Sequence, residues 1–171
     1  MIDETNMMHG EDWCGQDLAG WIVGEKLNGC RVVWDGAQLW TRNGNAVRIP
    51  ASWGAKLPAA RLDGELWAGR GRFEEARLAC QYGRFTPAVQ LMVFDVDEPG
   101  NFAERQQAAR RAVAGLDFAE VVEHQSCPST AAAIGLMRRI QAAGGEGVIA
   151  RHPGNVYQAG RTREILKLKE I

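Results

Sequence analysis

The chain has 171 residues, with 20 Lys and Arg against 21 Asp and Glu and a formal net charge of -1. Hydrophobic residues make up 46% and charged residues 24%, which is typical of a globular domain and excludes fibrous and disordered classes. No apolar run in the sequence approaches the ~20 residues of a membrane-spanning helix, and no segment resembles a signal peptide, so we expect no membrane partner.

Short strand-like segments alternate with helix-like segments along the chain. The predicted strands cover residues 20–26, 30–35, 38–42, 61–68, 89–96, 119–123, 146–151 and 164–169. The predicted helices cover residues 73–81, 102–115 and 130–142. The Asp35-Gly36 pair predicts a hairpin turn, and Ser129 predicts the N-cap of the last helix. Many short strands with helices between them predict an α+β domain.

Charge is unevenly distributed. Residues 1–20 contain five acidic and no basic side chains, so the remaining residues carry a net charge of +4. We interpret residues 1–19 as an acidic N-terminal arm with a mobile terminus, and residues 20–171 as the folded domain. The mildly basic body is compatible with a phosphate-bearing ligand, although scattered solvated charges explain the same composition.

The cysteines and histidines show no metal-binding pattern. No C-x-x-C pair occurs, and His9, His124 and His152 have no ligand spacing with a cysteine. A disulfide framework is not expected in a chain long enough to bury a core. The sequence therefore predicts reduced thiols and a cytoplasmic protein.

Five segments place charged side chains in or beside apolar strands. They are residues 25–31 (EKLNGCR), 62–66 (LDGEL), 93–96 (VFDV), 145–149 (GEGVI) and 166–169 (LKLK). Each segment alone is explained by a turn or a solvated side chain. However, three of only four lysines, namely Lys26, Lys167 and Lys169, fall within these segments, although arginine is four times as common as lysine.

In order and spacing, these segments resemble the nucleotidyltransferase motifs of ATP-dependent DNA ligases of the small bacterial and phage type. Residues 26–31 resemble the motif with the lysine nucleophile, and residues 41–45 (TRNGN) resemble the stretch that follows it. The remaining segments resemble the later motifs in the family's order. The resemblance covers roughly residues 20–169, and it implies an adenylation domain with antiparallel sheets flanked by helices.

The resemblance also implies roles for individual residues. The catalytic residues would be Lys26, Lys167 and Lys169. The nucleotide would be bound by Glu25, Arg31, Glu65, Phe94, Glu146 and Lys167, with Phe94 stacked on the purine. Glu146 and Glu65 would hold Mg²⁺, because hard cations prefer carboxylate oxygens. Nicked duplex DNA would be contacted by Arg42, Arg70, Arg72 and Arg161.

The implied reaction explains why these residue types are needed. A free lysine has a pKa near ~10.4 and is almost wholly protonated at neutral pH, so nearby cations are needed to favour the neutral amine. Lys26 would attack the α-phosphate of ATP and form lysyl-AMP with release of pyrophosphate. The AMP would move to the 5′-phosphate of a nick, and the 3′-hydroxyl would displace it and seal the strand.

Two features depart from the ligase pattern. Asn28 stands where most DNA ligases have Asp, and the sequence stops at Ile171, where an OB-fold domain usually follows. We therefore expect slow self-adenylylation and weak DNA affinity, unless a separate OB-fold domain or clamp subunit contributes. The alternative predictions are an RNA ligase or capping-type nucleotidyltransferase, and a non-catalytic ligase-like domain that binds nucleotide or nucleic acid.

Overall fold

The structure, a computed structural model, describes residues 1–169. Within them, a 3₁₀-helix (Glu4–Asn6), four α-helices and eleven strands follow one another. The strands are β1 (Met8–Asp12), β2 (Ile22–Lys26), β3 (Cys30–Trp34), β4 (Leu39–Thr41), β5 (Ala46–Val47), β6 (Leu62–Trp67), β7 (Gln90–Val96), β8 (Ala119–Val121), β9 (His124–Ser126), β10 (Gly147–Arg151) and β11 (Gly160–Leu168). The helices are α1 (Ala51–Lys56), α2 (Phe73–Tyr82), α3 (Phe102–Val113) and α4 (Thr130–Ala142).

The strands form two sheets. The first sheet has the order β1-β11-β10-β2-β9, and the second has the order β5-β4-β3-β6-β7-β8. The pairs β1–β11 and β7–β8 are parallel, and the other pairs in the described residues are antiparallel. The predicted α+β class with antiparallel sheets flanked by helices is confirmed, and the two parallel pairs lie at the edges of otherwise antiparallel sheets.

The predicted hairpin turn at Asp35-Gly36 connects β3 to β4. The Asp35 carboxylate accepts hydrogen bonds from the backbone N–H groups of Ala37 at 2.9 Å and Gln38 at 2.7 Å. Gly36 has a φ of +100°, which a side chain would disfavour. The turn fixes the register in which Trp34 pairs with Leu39.

Each sheet has its own hydrophobic core. Helix α4 begins after Ser129, whose hydroxyl accepts from the Ala132 N–H, and it buries Met137 and Ile140 against the first sheet. Helices α2 and α3 pack on the second sheet, where Trp53 of α1 stacks on Phe118 at 4.6 Å between ring centroids. Two separate cores leave room for a cleft between the sheets. In residues 1–169, no helix has the length and hydropathy that crossing a membrane would need.

The N-terminal segment is part of the first sheet, and the expectation of a mobile terminus is wrong. Strand β1 pairs with β11, and Met7, Met8 and Leu18 are buried between the acidic residues. Burying each of these apolar side chains stabilises the fold by roughly 1.5–3 kcal/mol. A segment detached from the sheet would not gain this free energy. The segment therefore adds a strand beside residues 160–168.

Other short elements were not predicted. Strand β5, helix α1 and strand β9 lie in segments without a predicted element, and β11 starts at Gly160 rather than at residue 164. The connection from β8 to β9 also carries the chain from the second sheet to the first. In this connection the Val122 N–H donates to the Val93 carbonyl at 2.8 Å.

Candidate active site

A cleft of about 630 Å³ is lined by residues of both sheets. Strands β1, β2, β10 and β11 contribute one wall, and β3, β6, β7 and the turn after β4 contribute the other. Of the predicted site residues, the cleft is lined by Glu25, Lys26, Arg31, Arg42, Glu65, Phe94, Arg161, Lys167 and Lys169. The fold thus brings together side chains that are widely separated in the sequence.

Lys26 and Glu146 form a salt bridge at this cleft. Strand β2 runs antiparallel to β10, and Lys26 pairs with Gly147, so Glu146 lies next to it. The Nζ of Lys26 is 2.5 Å from Oε1 of Glu146, although the two residues are 120 positions apart in the sequence. Both side chains are partly exposed; Lys26 lines the cleft, and Glu146 lies beside it, outside the lining residues.

Glu65 lies on the opposite wall, where its carboxylate accepts a hydrogen bond from the Gly29 N–H at 3.1 Å. Burial raises the pKa of Glu65 to about 7, against the lowering effect of Arg31, this N–H and Lys26. A Cβ at position 29 would overlap the Leu66 carbonyl, which explains the glycine. Glu65 is therefore poised to change its charge near neutral pH.

Arg31 is held by the carboxylate of Asp63, which lies in the predicted strand over residues 61–68. Asp63 accepts from the Nε of Arg31 at 2.8 Å and from Nη2 at 2.7 Å, and the Tyr157 hydroxyl donates to Asp63 at 2.8 Å. Burial alone disfavours the charged guanidinium, but Asp63 outweighs it and raises the pKa of Arg31. Asp63 is buried within β6, which confirms the predicted strand over residues 61–68.

Phe94 lies between two guanidinium groups. The ring centroid is 5.1 Å from Cζ of Arg31 and 5.7 Å from Cζ of Arg151. Both distances are within the range of cation–π attraction. The ring is partly exposed, and it lines the wall of the cleft that belongs to the second sheet.

A buried ion cluster lies next to Phe94 along β7. Asp95 accepts from Arg105 at 2.8 Å and from Arg151 at 2.9 Å, and Arg105 also donates to the Asn155 side chain at 2.8 Å. The cluster ties β7 to α3, β10 and the loop before β11. Sequence reasoning noted Asp95 but missed Arg105, Arg151 and Asn155, because only the fold brings them together.

Lys167 of β11 and Lys169, which directly follows the strand, both line the same cleft as Lys26. The Nζ of Lys167 is 3.7 Å from Oδ1 of Asp12 on the neighbouring strand β1. Lys169 is exposed, and its backbone carbonyl accepts from the Gln141 side chain at 2.7 Å.

The arginines predicted to contact DNA divide into two groups. Arg42 and Arg161 line the cleft, and Arg42 is 3.3 Å from the carboxylate of Glu4. Outside the cleft lining, Arg70 makes two hydrogen bonds of 2.8 Å to Glu25. Arg72 pairs with Glu75 at the start of α2, also outside the lining.

Among residues 1–169, no group of three or more His, Cys, Asp or Glu side chains is arranged to hold a metal ion. Of the two predicted carboxylates, Glu65 lines the cleft on the wall of the second sheet, and Glu146 lies outside the lining, next to Lys26 of the first sheet. Any divalent cation between them would need further oxygen ligands, for which phosphate oxygens are suited.

The chain is similar in sequence to a known DNA ligase. No protein-family model matches the chain. A DNA ligase of Haemophilus influenzae is 33% identical over an alignment of 170 residues. The match covers 96% of this chain and 63% of that protein. The chain therefore spans less than two thirds of the length of this curated relative.

Solved structures give the same result. A structure from work on Lig E DNA ligases has a TM-score of 0.87 and 29% sequence identity to this chain. The match covers 99% of this chain and 70% of the Lig E chain. Chlorella virus DNA ligase-adenylate has a TM-score of 0.80 and 17% identity, over 97% of this chain and 67% of its own. The ATP-dependent DNA ligase of bacteriophage T7 in complex with ATP has a TM-score of 0.76 and 15% identity, over 97% of this chain and 69% of its own.

The architecture and the cleft therefore define the class: the chain has the nucleotidyltransferase fold of DNA-ligase adenylation domains. Within that class, its sequence is similar to a bacterial DNA ligase over nearly its whole length, and its structure is similar to a Lig E ligase. The resemblance that the motifs predicted is confirmed.

Proposed function

We propose that the chain is the catalytic domain of an ATP-dependent DNA ligase, which forms lysyl-AMP on Lys26 and seals nicks in duplex DNA. The observation that carries this proposal is the salt bridge of Lys26 with Glu146 at a cleft open to ligands. Both residues occupy ligase-motif positions, and a domain that only binds nucleic acid needs no such nucleophile.

The nucleophile must lose a proton before it can attack ATP. Cations close to a lysine favour its neutral amine. The amines of Lys167 and Lys169 are the cations that line the same cleft. They would also stabilise negative charge on the α-phosphate as the Lys26 amine attacks it.

Mg²⁺ fits the remaining carboxylates at the cleft. Glu146 and Glu65 would hold the ion together with phosphate oxygens, and the ion would supply further charge neutralisation at the phosphate. Glu65, with a pKa of about 7, would lose its proton when a cation approaches, because an opposite charge favours the carboxylate.

Other residues would position the substrates. Phe94 would stack on the purine, Arg31 would lie near the ribose, and Glu25 would support the nucleotide from the end of β2. DNA phosphates would be contacted by the exposed side chains of Arg42, Arg70, Arg72 and Arg161. An OB-fold domain or clamp subunit remains a predicted further partner.

This activity would serve DNA repair, replication or recombination in a bacterial cell or a phage-infected host. The four cysteines are free thiols in the described structure, which is compatible with the reducing cytoplasm that we expect.

Mass spectrometry of the full chain tests the proposal. After incubation with ATP and Mg²⁺, we expect a mass increase of one AMP on Lys26, and sealing of a pre-adenylylated DNA nick. Parallel reactions with GTP and with nicked RNA distinguish capping-type and RNA-ligase activities. The absence of both lysyl-AMP and sealing would overturn the ligase assignment.

A further inference from the structure

His124 occupies an unusual position on the floor of the cleft. It begins β9, where the chain has crossed from the second sheet to the first, and its backbone pairs with Gly24 of β2. A Cβ at Gly24 would lie 2.7 Å from Cδ2 and 2.9 Å from Nε2 of His124. The imidazole therefore fills the space that a side chain of β2 would occupy.

This space lies beside the proposed nucleophile. Residues i and i+2 of a strand share a face and are about 7 Å apart, so Gly24 and Lys26 face the same side of β2. Ile149 of β10 pairs with Gly24 and lines the cleft. His124, Ile149 and Lys26 thus form one continuous floor.

The opposite wall carries Phe94, and the same connection links it to His124. Val122, two residues before His124, donates its N–H to the carbonyl of Val93 at 2.8 Å. Phe94, Ile149 and His124 all line the cleft, so a flat ring bound there can contact each of them. The distance of about 7 Å between the two β2 positions leaves room for a sugar between that ring and a phosphate at Lys26.

The hydrogen bonds of His124 fix its chemical character. Nδ1 lies 2.7 Å from the Val122 carbonyl, which can only accept, so Nδ1 carries the proton. Burial, and next the charge of Arg151, lower the pKa of His124 to about 4, so the ring is neutral at physiological pH. The Nε2 of a neutral ring in this tautomer is a hydrogen-bond acceptor.

We propose that His124 determines base specificity in this site, by accepting a hydrogen bond from the exocyclic amine of adenine at Nε2. Guanine carries an oxygen at the corresponding position, and two facing acceptors repel each other. A site that offers a buried acceptor rejects a ligand that cannot donate to it. This inference rests on the proposed function, since it assigns the base that the nucleotidyltransferase site accepts.

Self-adenylylation kinetics of the full chain with ATP, GTP and purine riboside triphosphate test the inference. Purine riboside triphosphate lacks the exocyclic amine, so we expect the wild type to use it with about tenfold lower kcat/KM than ATP. In His124→Phe, the two nucleotides should become equivalent through a higher KM for ATP, with kcat little changed. His124→Gln offers an acceptor oxygen and should retain part of the preference.

Two further variants complete the design. His124→Ala makes the same comparison as His124→Phe without introducing a larger side chain. His152→Gln is the matched control, because His152 is exposed and does not line the cleft, and it should retain the wild-type ratio.

The outcomes separate the inference from the proposed function. If the wild type forms no lysyl-AMP with any nucleotide, the proposed function fails. If lysyl-AMP forms on Lys26 but the wild type uses purine riboside triphosphate as well as ATP, the role of His124 is overturned and the ligase proposal stands. If folded His124→Phe or His124→Ala retains the full ATP preference, the role of His124 is likewise overturned and the ligase proposal stands.

Discussion

Two of the ion-paired groups in this molecule lie in contrasting surroundings. In the buried cluster, the side chains of Asp95 and Arg105 are 0% exposed and that of Arg151 is 6% exposed. At the cleft, the side chains of Lys26 and Glu146 are 21% and 28% exposed. The two groups use the same attraction between charges, and they differ in access to solvent and ligands.

Access decides what each group can do. A buried ion pair is desolvated already, so the loss of one partner leaves an uncompensated charge in the interior. A partly exposed pair is screened by water, and either member can exchange its partner for a ligand at small cost. The Asp95 cluster is thus suited to hold three elements together, and the Lys26–Glu146 pair is suited to bind and react.

The largest effect is expected from Lys26→Arg. Arginine keeps a cation opposite Glu146, but its guanidinium cannot supply a neutral nucleophile. We expect label transfer from α-labelled ATP to fall by more than about 10³-fold, and the free energy of unfolding to change by less than about 1 kcal/mol. Undiminished labelling of the variant would show that another residue is the nucleophile.

The next largest effect is expected from Asp95→Asn, and it concerns stability. Removing the charge between Arg105 and Arg151 should lower the free energy of unfolding by about 3–5 kcal/mol, measured by urea titration. The matched control is Asp97→Asn, because Asp97 is an exposed partner of Arg61 at 3.4 Å. The control should cost at most about 1 kcal/mol. If Asp95→Asn and Asp97→Asn lower the free energy of unfolding equally, the proposed difference between buried and accessible ion pairs is contradicted.

A smaller, pH-dependent effect is expected from Glu65→Gln. The folded-state pKa of Glu65, about 7, lies above the unfolded value of about 4.3, so the folded protein binds more protons between these values. The free energy of unfolding contributed by Glu65 therefore falls as pH rises through this window. Glu65→Gln should be more stable than the wild type at pH 8, by up to about 3 kcal/mol, and the difference should vanish below about pH 4.

Glu74→Gln is the control for the direction of the stability change predicted at pH 8. Its hydrogen bond to the Arg77 side chain lowers the pKa of Glu74, so the substitution should give no stabilisation at pH 8. Urea unfolding at the two pH values checks both variants. A Glu65→Gln variant that is less stable than the wild type at pH 8 would contradict the raised pKa.

The smallest effect is expected at the exposed pairs beside the cleft. Glu4→Gln and Asp12→Asn remove the partners of Arg42 and Lys167, which leaves both cations available to phosphate. Affinity for nicked duplex DNA, measured by fluorescence anisotropy, should rise about two- to fivefold at low salt and less at high salt. Glu98→Gln makes the same charge change outside the cleft lining. An equal rise in that control would attribute the effect to net charge alone.

Much of the site could be predicted because local sequence carries it. Lys26, Glu65 and Glu146 stand within short segments whose order along the chain is itself informative. Arg105, Arg151 and Asn155 gave no comparable signal. The hydrogen bond from Tyr157 to Asp63 joins residues 94 positions apart, and only the completed sheets create the buried setting in which both are needed.

The same reasoning separates the elements that were predicted from those that were not. Strands such as β7 are nearly continuous apolar runs, and the final helix has a capping residue at Ser129. Helix α1 has six residues with a glycine inside, and β1 reads as an acidic segment. Both form because partners remote in the sequence complete them, which a local pattern cannot report.

Strand β1 has a consequence for how separate molecules behave toward each other. It lies at the edge of the first sheet, where unpaired backbone groups invite a strand of another chain. It has five residues, ends in Glu11 and Asp12, and changes register after His9. The short length of β1, its two acidic residues and its irregular register each discourage edge-to-edge association. The acidic N-terminal segment therefore protects this edge of the sheet from aggregation. A chain without residues 1–12 would instead present the nine-residue strand β11 as an open template for aggregation.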